Sequence, residues 1–206
     1  MKLPGAICDL MGVTDLRAND FGFRPEVAAN PYESLPARAG NGLVNVIIDT
    51  PKGSRNKFKF DERALCFRLS RILPLGACFP YDFGAIPRTR ADDGDPLDIM
   101  VIGEQGSFAG CLLNARIIGA IRAEQTERGR TIRNDRLLAV PVTSVNAAEL
   151  SHIDELPAAR VAEIEHFFVS YNQAHGRQFR PTGHAGPDEA ERVLAAAIQQ
   201  YETAGE

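Results

Sequence analysis

No stretch of this chain is apolar for long enough to span a bilayer, so a helical membrane anchor is not expected. Met1–Leu10 lacks a long apolar run after its one lysine, and Asp9 interrupts what there is, so a secretory leader is not expected either. Cysteine is sparse: Cys8, Cys66, Cys78 and Cys111 form no Cys-x-x-Cys pair and have no histidine at metal-ligand spacing. That argues against a zinc site or a disulfide framework and for free thiols in a reducing, cytoplasmic setting. Basic residues are not in excess, since 23 Lys and Arg face 27 Asp and Glu, for a net charge of −4. No basic stripe dominates, and nucleic acid is therefore not an expected partner, although a small basic pocket for a phosphate ligand remains compatible. Internal repeats and low-complexity segments are also missing, and the 206 residues, 44% hydrophobic, fit one packed domain.

What is present reads mainly as strands. Residues 1–42 show no sustained periodicity and are expected to form an N-terminal extension over a single domain at 43–206, with a short helix somewhere in Asn19–Tyr32. Leu43–Thr50 is rich in β-branched residues and closes on Asp49. Lys57-Phe-Lys-Phe60 alternates with period two, and Leu65–Ile72 is its return arm. Phe79–Pro87 is aromatic and turn-rich, and its two prolines and Gly84 argue against a central strand. Ile99–Ile102, Cys111–Ala123 and Thr131–Val142 are expected strands, with a hairpin turn at Thr126–Arg130. Short strands between polar turns predict an antiparallel sheet curling into a small barrel. Asp154–His175 carries Val161, Ile164, Phe167, Phe168 and Tyr171 at helical spacing, with Pro157 near its start and Gly176 as its stop. A last helix is expected from about Pro187 to Glu202.

The densest chemistry lies in Ala91–Ile99, where Asp92, Asp93, Asp95 and Asp98 crowd around Gly94 and Pro96. Carboxylates so close disfavour joint ionisation unless a cation sits among them, and hard oxygen donors suit Mg²⁺ or Mn²⁺. A solvated Asp-Gly turn is the plain alternative. An EF-hand is excluded, because Leu97 occupies a ligand position and the central glycine is missing. Further charges fall at strand ends or in the loops beside them: Asp49, Lys57, Arg71, Glu124, Asp135 and Arg136. Carboxylates for metals beside Lys and Arg are the inventory that phosphoryl hydrolysis requires.

Asp93-Gly-Asp-Pro-Leu-Asp98 resembles the Asp-Gly-Asp-Pro-x-Asp signature of the soluble, magnesium-dependent inorganic pyrophosphatases of family I. Asp49, Lys57, Arg71, the Phe79–Pro87 segment, Arg136-Leu-Leu-Ala-Val-Pro141 and His166–Tyr171 follow that family's order and spacing. The resemblance implies an α+β, mainly β fold: a five-stranded OB-like barrel with two C-terminal helices packed on it. It implies hydrolysis of pyrophosphate to two phosphates, with Asp93 and Asp98 as metal ligands, Asp49, Asp95, Glu124 and Asp135 as further candidates for the metal set, and Asp95 also as the base acting on the attacking water. Lys57, Arg71, Arg136 and Tyr171 would hold the phosphates, although on periodicity alone Tyr171 reads as a core residue. It further implies a homo-oligomer, a hexamer among bacterial members.

This chain departs from the family pattern at several positions. Phe79 and Phe83 stand where tyrosines are usual, Lys59 where an acid is usual, and Asn172 where a lysine is common. Arg177 or Arg180 could replace that lysine. At the second acidic cluster, spacing points to Gln125 and Asn134, while ligand chemistry favours the adjacent Glu124 and Asp135, and only one of each pair can face the metals. Two other functions are consistent with the fold: a non-catalytic phosphate- or metal-binding domain, and an oligonucleotide-binding barrel, which the acidic clusters disfavour.

Overall fold

The computed structural model describes residues 30–204. Five strands form its centre: β2 (Leu43–Thr50), β5 (Asp82–Ala85), β6 (Asp98–Val101), β9 (Arg136–Pro141) and β7 (Leu112–Glu127). They pair in that order, and β2 also pairs with β7, which closes the ring. All pairings in the ring are antiparallel except β6 with β9. The expected five-stranded, OB-like barrel is therefore present. β1 (Arg38–Gly40), β8 (Arg130–Arg133) and β10 (Gln178–Ala185) extend the sheet, while β3 (Asn56–Asp61) and β4 (Cys66–Ile72) form a separate hairpin.

Alternation along the barrel strands sorts most side chains into two apolar clusters, with Ile47 and Ala85 joining Tyr32 in a smaller third. Val44, Val46, Ile48, Ile99, Val101, Leu137 and Ala139 pack with Ala190, Leu194 and Ala197 of α3 (Pro187–Ala204). Met100, Leu138, Val140, Ile118 and Ile121 pack with Val161, Ile164 and Phe168 of α2 (Ala158–Gln173). The strands are thus apolar on both faces, which accounts for their nearly unbroken hydrophobic sequence.

Several expectations change. Asp82–Ala85 is a central strand after all: Pro80 and Pro87 lie outside it, and Gly84 is what the site needs. A Cβ on Gly84 would stand 2.0 Å from the Ile47 carbonyl oxygen, so only glycine permits β2 and β5 to approach so closely. The strand expected at Thr131–Val142 is two strands, broken at Asn134 and Asp135. β10, whose inward positions Phe179, Pro181, Gly183 and Ala185 include two residues that read as strand breakers, pairs along β7, with Pro181 at a register irregularity. Most of the helix expected within Asn19–Tyr32 lies outside the described residues. From Asn30 on, the chain is bonded to the barrel. Asn30 caps the four-residue α1 (Pro31–Ser34), Asn45 N–H donates to the Ala37 carbonyl, and Arg88 N–H donates to the Tyr32 carbonyl.

Candidate functional site

The acidic loop is held in shape by its own backbone. Ala91 N–H donates to the Asp95 carbonyl at 2.8 Å and Gly94 N–H to the Ala91 carbonyl at 2.9 Å, with Gly94 at φ +88°. Asp95 N–H donates to Asp93 Oδ1 at 3.1 Å. Buried Thr89 ties the two ends together: its hydroxyl donates to the Ile86 carbonyl at 2.6 Å and accepts from Leu97 N–H at 2.9 Å. The loop opens into a cleft of about 220 Å³ between the barrel, the β3–β4 hairpin and α2. Asp49, Glu62, Asp93, Asp95 and Asp98 line this cleft, and Lys57, Lys59, Arg71, Arg136 and Arg177 balance them charge for charge.

Each carboxylate of the signature faces a protein group. Asp98 Oδ2 lies 2.5 Å from Arg136 Nη1, and Asp95 Oδ2 lies 2.8 Å from Lys59 Nζ. Asp93 Oδ2 accepts from Asn134 Nδ2 at 3.3 Å. Burial, then the neighbouring Asp98, raise the Asp93 carboxyl above its usual range. Arg136 is buried against the Phe168 and Phe179 rings, its Cζ 5.5 Å from each centroid, and also donates to Asn134 Oδ1.

The opposite wall carries the cations. Lys57 and Arg71 are directly opposed in the β3–β4 register, a repulsive pairing that a bound anion would relieve. Arg71 has no ion-pair partner among the described residues. Lys57 Nζ lies 4.4 Å from the Phe83 ring centroid and 3.6 Å from Asp49 Oδ2. Burial dominates this pair, pushing the Asp49 carboxyl up and the Lys57 ammonium down despite their mutual attraction. Tyr171 also lines the cleft, and burial raises its hydroxyl above the usual value.

The cleft thus gathers Asp49, Lys57, Arg71, Asp93, Asp95, Asp98, Arg136 and Tyr171. Two expected residues lie elsewhere. Glu124 pairs with Arg180 at 2.5 Å on the far side of β7, and Asp135 accepts from Ala123 N–H at 3.1 Å and pairs with Arg133 at 2.6 Å. The inward side chains are Gln125 and Asn134, so the choice made on ligand chemistry is reversed by strand alternation. Of the two arginines considered in place of a lysine at 172, Arg177 lines the cleft and Arg180 does not; Asn172 is buried and donates to the Phe168 carbonyl.

Tyr32 is the residue that sequence reading missed. It is buried, lines the cleft, and donates its hydroxyl to Asp49 Oδ1 at 2.5 Å. The available signal was Asn30-Pro31, a cap residue followed by proline at the first helical position.

Hard oxygen donors suit a divalent cation such as Mg²⁺: the carboxylates of Asp93, Asp95 and Asp98, and the amide oxygens of Gln125 and Asn134. Among the described residues no three acidic, imidazole or thiol groups surround one point; Asp98 is paired with Arg136 and Asp95 with Lys59.

The family model described as inorganic pyrophosphatase matches residues 46–202. An inorganic pyrophosphatase of Synechocystis is 38% identical over 167 residues, covering 81% of this chain and 96% of its own length. One from Geobacillus stearothermophilus is 34% identical over 161 residues, covering 78% and 95%. The crystal structure of the Thermus thermophilus inorganic pyrophosphatase superposes with a TM-score of 0.77 at 28% identity, covering 84% of this chain and 99% of that one. Cleft, barrel and sequence agree: this chain belongs to the inorganic pyrophosphatase family.

Proposed function

We propose that this chain hydrolyses inorganic pyrophosphate to two phosphates in the cleft between the acidic loop and the β3–β4 hairpin. The observation that carries the reading is the juxtaposition of signature carboxylates with cations that oppose one another when the cleft holds no anion. Lys57, Arg71 and Arg136 bind the phosphate oxygens, and Tyr171 supplies a neutral donor beside them. Their charges offset what develops on the leaving phosphate. Asp95 accepts the proton of the attacking water, and its half-exposed carboxylate can pass that proton to solvent. The family is metal-dependent, and Mg²⁺ is the cation that the oxygen donors of this cleft favour, Mn²⁺ the alternative. Asp93 and Asp98 would hold it; when bound, it lowers the pKa of the attacking water and offsets phosphoryl charge.

Among the described residues no helix is long and apolar enough to cross a membrane. A cytoplasmic, homo-oligomeric enzyme fits this reading, with exposed Phe108, Val142 and Val145 available to subunit contacts. Light scattering on the purified chain reports whether it is a hexamer. The catalytic assignment is tested by Asp95→Asn, which should abolish Mg²⁺-dependent phosphate release while the thermal melt stays cooperative. Activity retained in that variant would remove Asp95 from the mechanism.

A further inference from the structure

We infer that Lys59 is a built-in cation, standing where a divalent ion would otherwise bind Asp95, so that the cleft holds one ion fewer than it would with an acid at position 59. The inference rests on the reading of the cleft as a metal-dependent pyrophosphatase site.

Lys59 lies on β3, two residues from Lys57, and its ammonium is 2.8 Å from Asp95 Oδ2. An ammonium at that distance supplies positive charge to the carboxylate from a covalent stem. The remaining inward oxygens offer little to a further ion. Gln125 Oε1 accepts from Asn134 Nδ2 at 3.2 Å, and Asn134 Oδ1 accepts from Arg136. Both amides are neutral, and each already spends its oxygen inside the protein. Acids and bases around the cleft cancel, so each further dication would make it net positive before substrate arrives. With pyrophosphate present, the Lys59 charge stays in the cleft at any metal concentration. The chain should therefore depend on fewer free ions than its carboxylate count implies.

The test counts ions instead of following turnover. Mn²⁺ bound per chain is measured by equilibrium dialysis, with electron paramagnetic resonance reporting the free ion, on the full-length protein. Lys59→Glu should bind one more Mn²⁺ per chain than the wild type, and Lys59→Arg the wild-type number. Lys59→Gln, which only uncovers Asp95, gives the same readout if Lys59→Glu fails to fold. Equal counts in wild type and a folded Lys59→Glu or Lys59→Gln protein would overturn the inference. A chain that gains the ion but never turns over pyrophosphate would instead overturn the proposed activity. Turnover with unchanged counts would do the reverse.

Discussion

Asp49 shows how one residue organises a charged wall. Its carboxylate is buried and answered by two donors, the Tyr32 hydroxyl and the Lys57 ammonium. Tyr32→Phe removes the shorter contact and keeps the ring that packs on Phe60, so it should cost about 1–3 kcal/mol in urea unfolding, the usual penalty for an under-satisfied buried polar group. A loss within about 0.5 kcal/mol would mean the hydroxyl does little there. The orientation of β7 makes a second prediction. Glu124 faces Arg180, so Glu124→Gln should leave metal affinity and turnover essentially unchanged, whereas Asp93→Asn should weaken both at least tenfold. Equal effects in calorimetry and phosphate release would return Glu124 to the ligand set. At this scale the acidic crowding of the signature loop was legible from the residues themselves, whereas Lys57, Arg71, Arg136 and Tyr171, which also line the cleft, were picked out only by their order and spacing relative to the resembled family. Gln125 and Asn134 were not: which of two neighbours faces inward depends on the β7–β8 pairing and on the break before β9. Tyr32 was missed because a four-residue helix has no periodicity to detect, which left the Asn30-Pro31 cap as its one signal.

Among the elements, β5 is the place where a local rule misleads. Glycine and nearby prolines normally argue against a central strand, yet here Gly84 lets β2 lie against the strand without a side chain between them. Gly84→Ala would drive its methyl into the Ile47 carbonyl and should lower stability by about 3 kcal/mol or leave the chain insoluble, as thermal melting would show. An unperturbed melt would contradict the close approach. A second element-level prediction concerns Glu104, which accepts from Ser144, Val145 and Asn146 in the loop after β9. These hydrogen bonds, led by the Asn146 N–H, lower its carboxyl from 4.5 to about 2. Because the folded value is the lower one, the stabilisation is fully present above pH 4.5 and is lost as pH falls toward about 2. Glu104→Gln should flatten the pH dependence of the melting temperature across that window, and a wild-type slope in the variant would dismiss the contact. The helices were legible in sequence because their apolar spacing is sustained over many turns. β10 was not, because its alternation places Pro181 and Gly183 on the inward side, where both read as strand breakers.

Taken whole, the molecule is a closed ring of five strands whose apolar faces support a charged mouth. The ring was predictable from short strands and polar turns, and the comparisons place it in the inorganic pyrophosphatase family. Its particular character lies at the mouth, where amides and a lysine stand among the carboxylates and the charges cancel. Such a cleft could bind a polyanion without acting on it, so the decisive measurement is turnover. Purified protein with excess pyrophosphate and Mg²⁺ should release two phosphates for every pyrophosphate consumed, over many cycles per chain. Stoichiometric binding of pyrophosphate with no phosphate released beyond the blank would contradict the account.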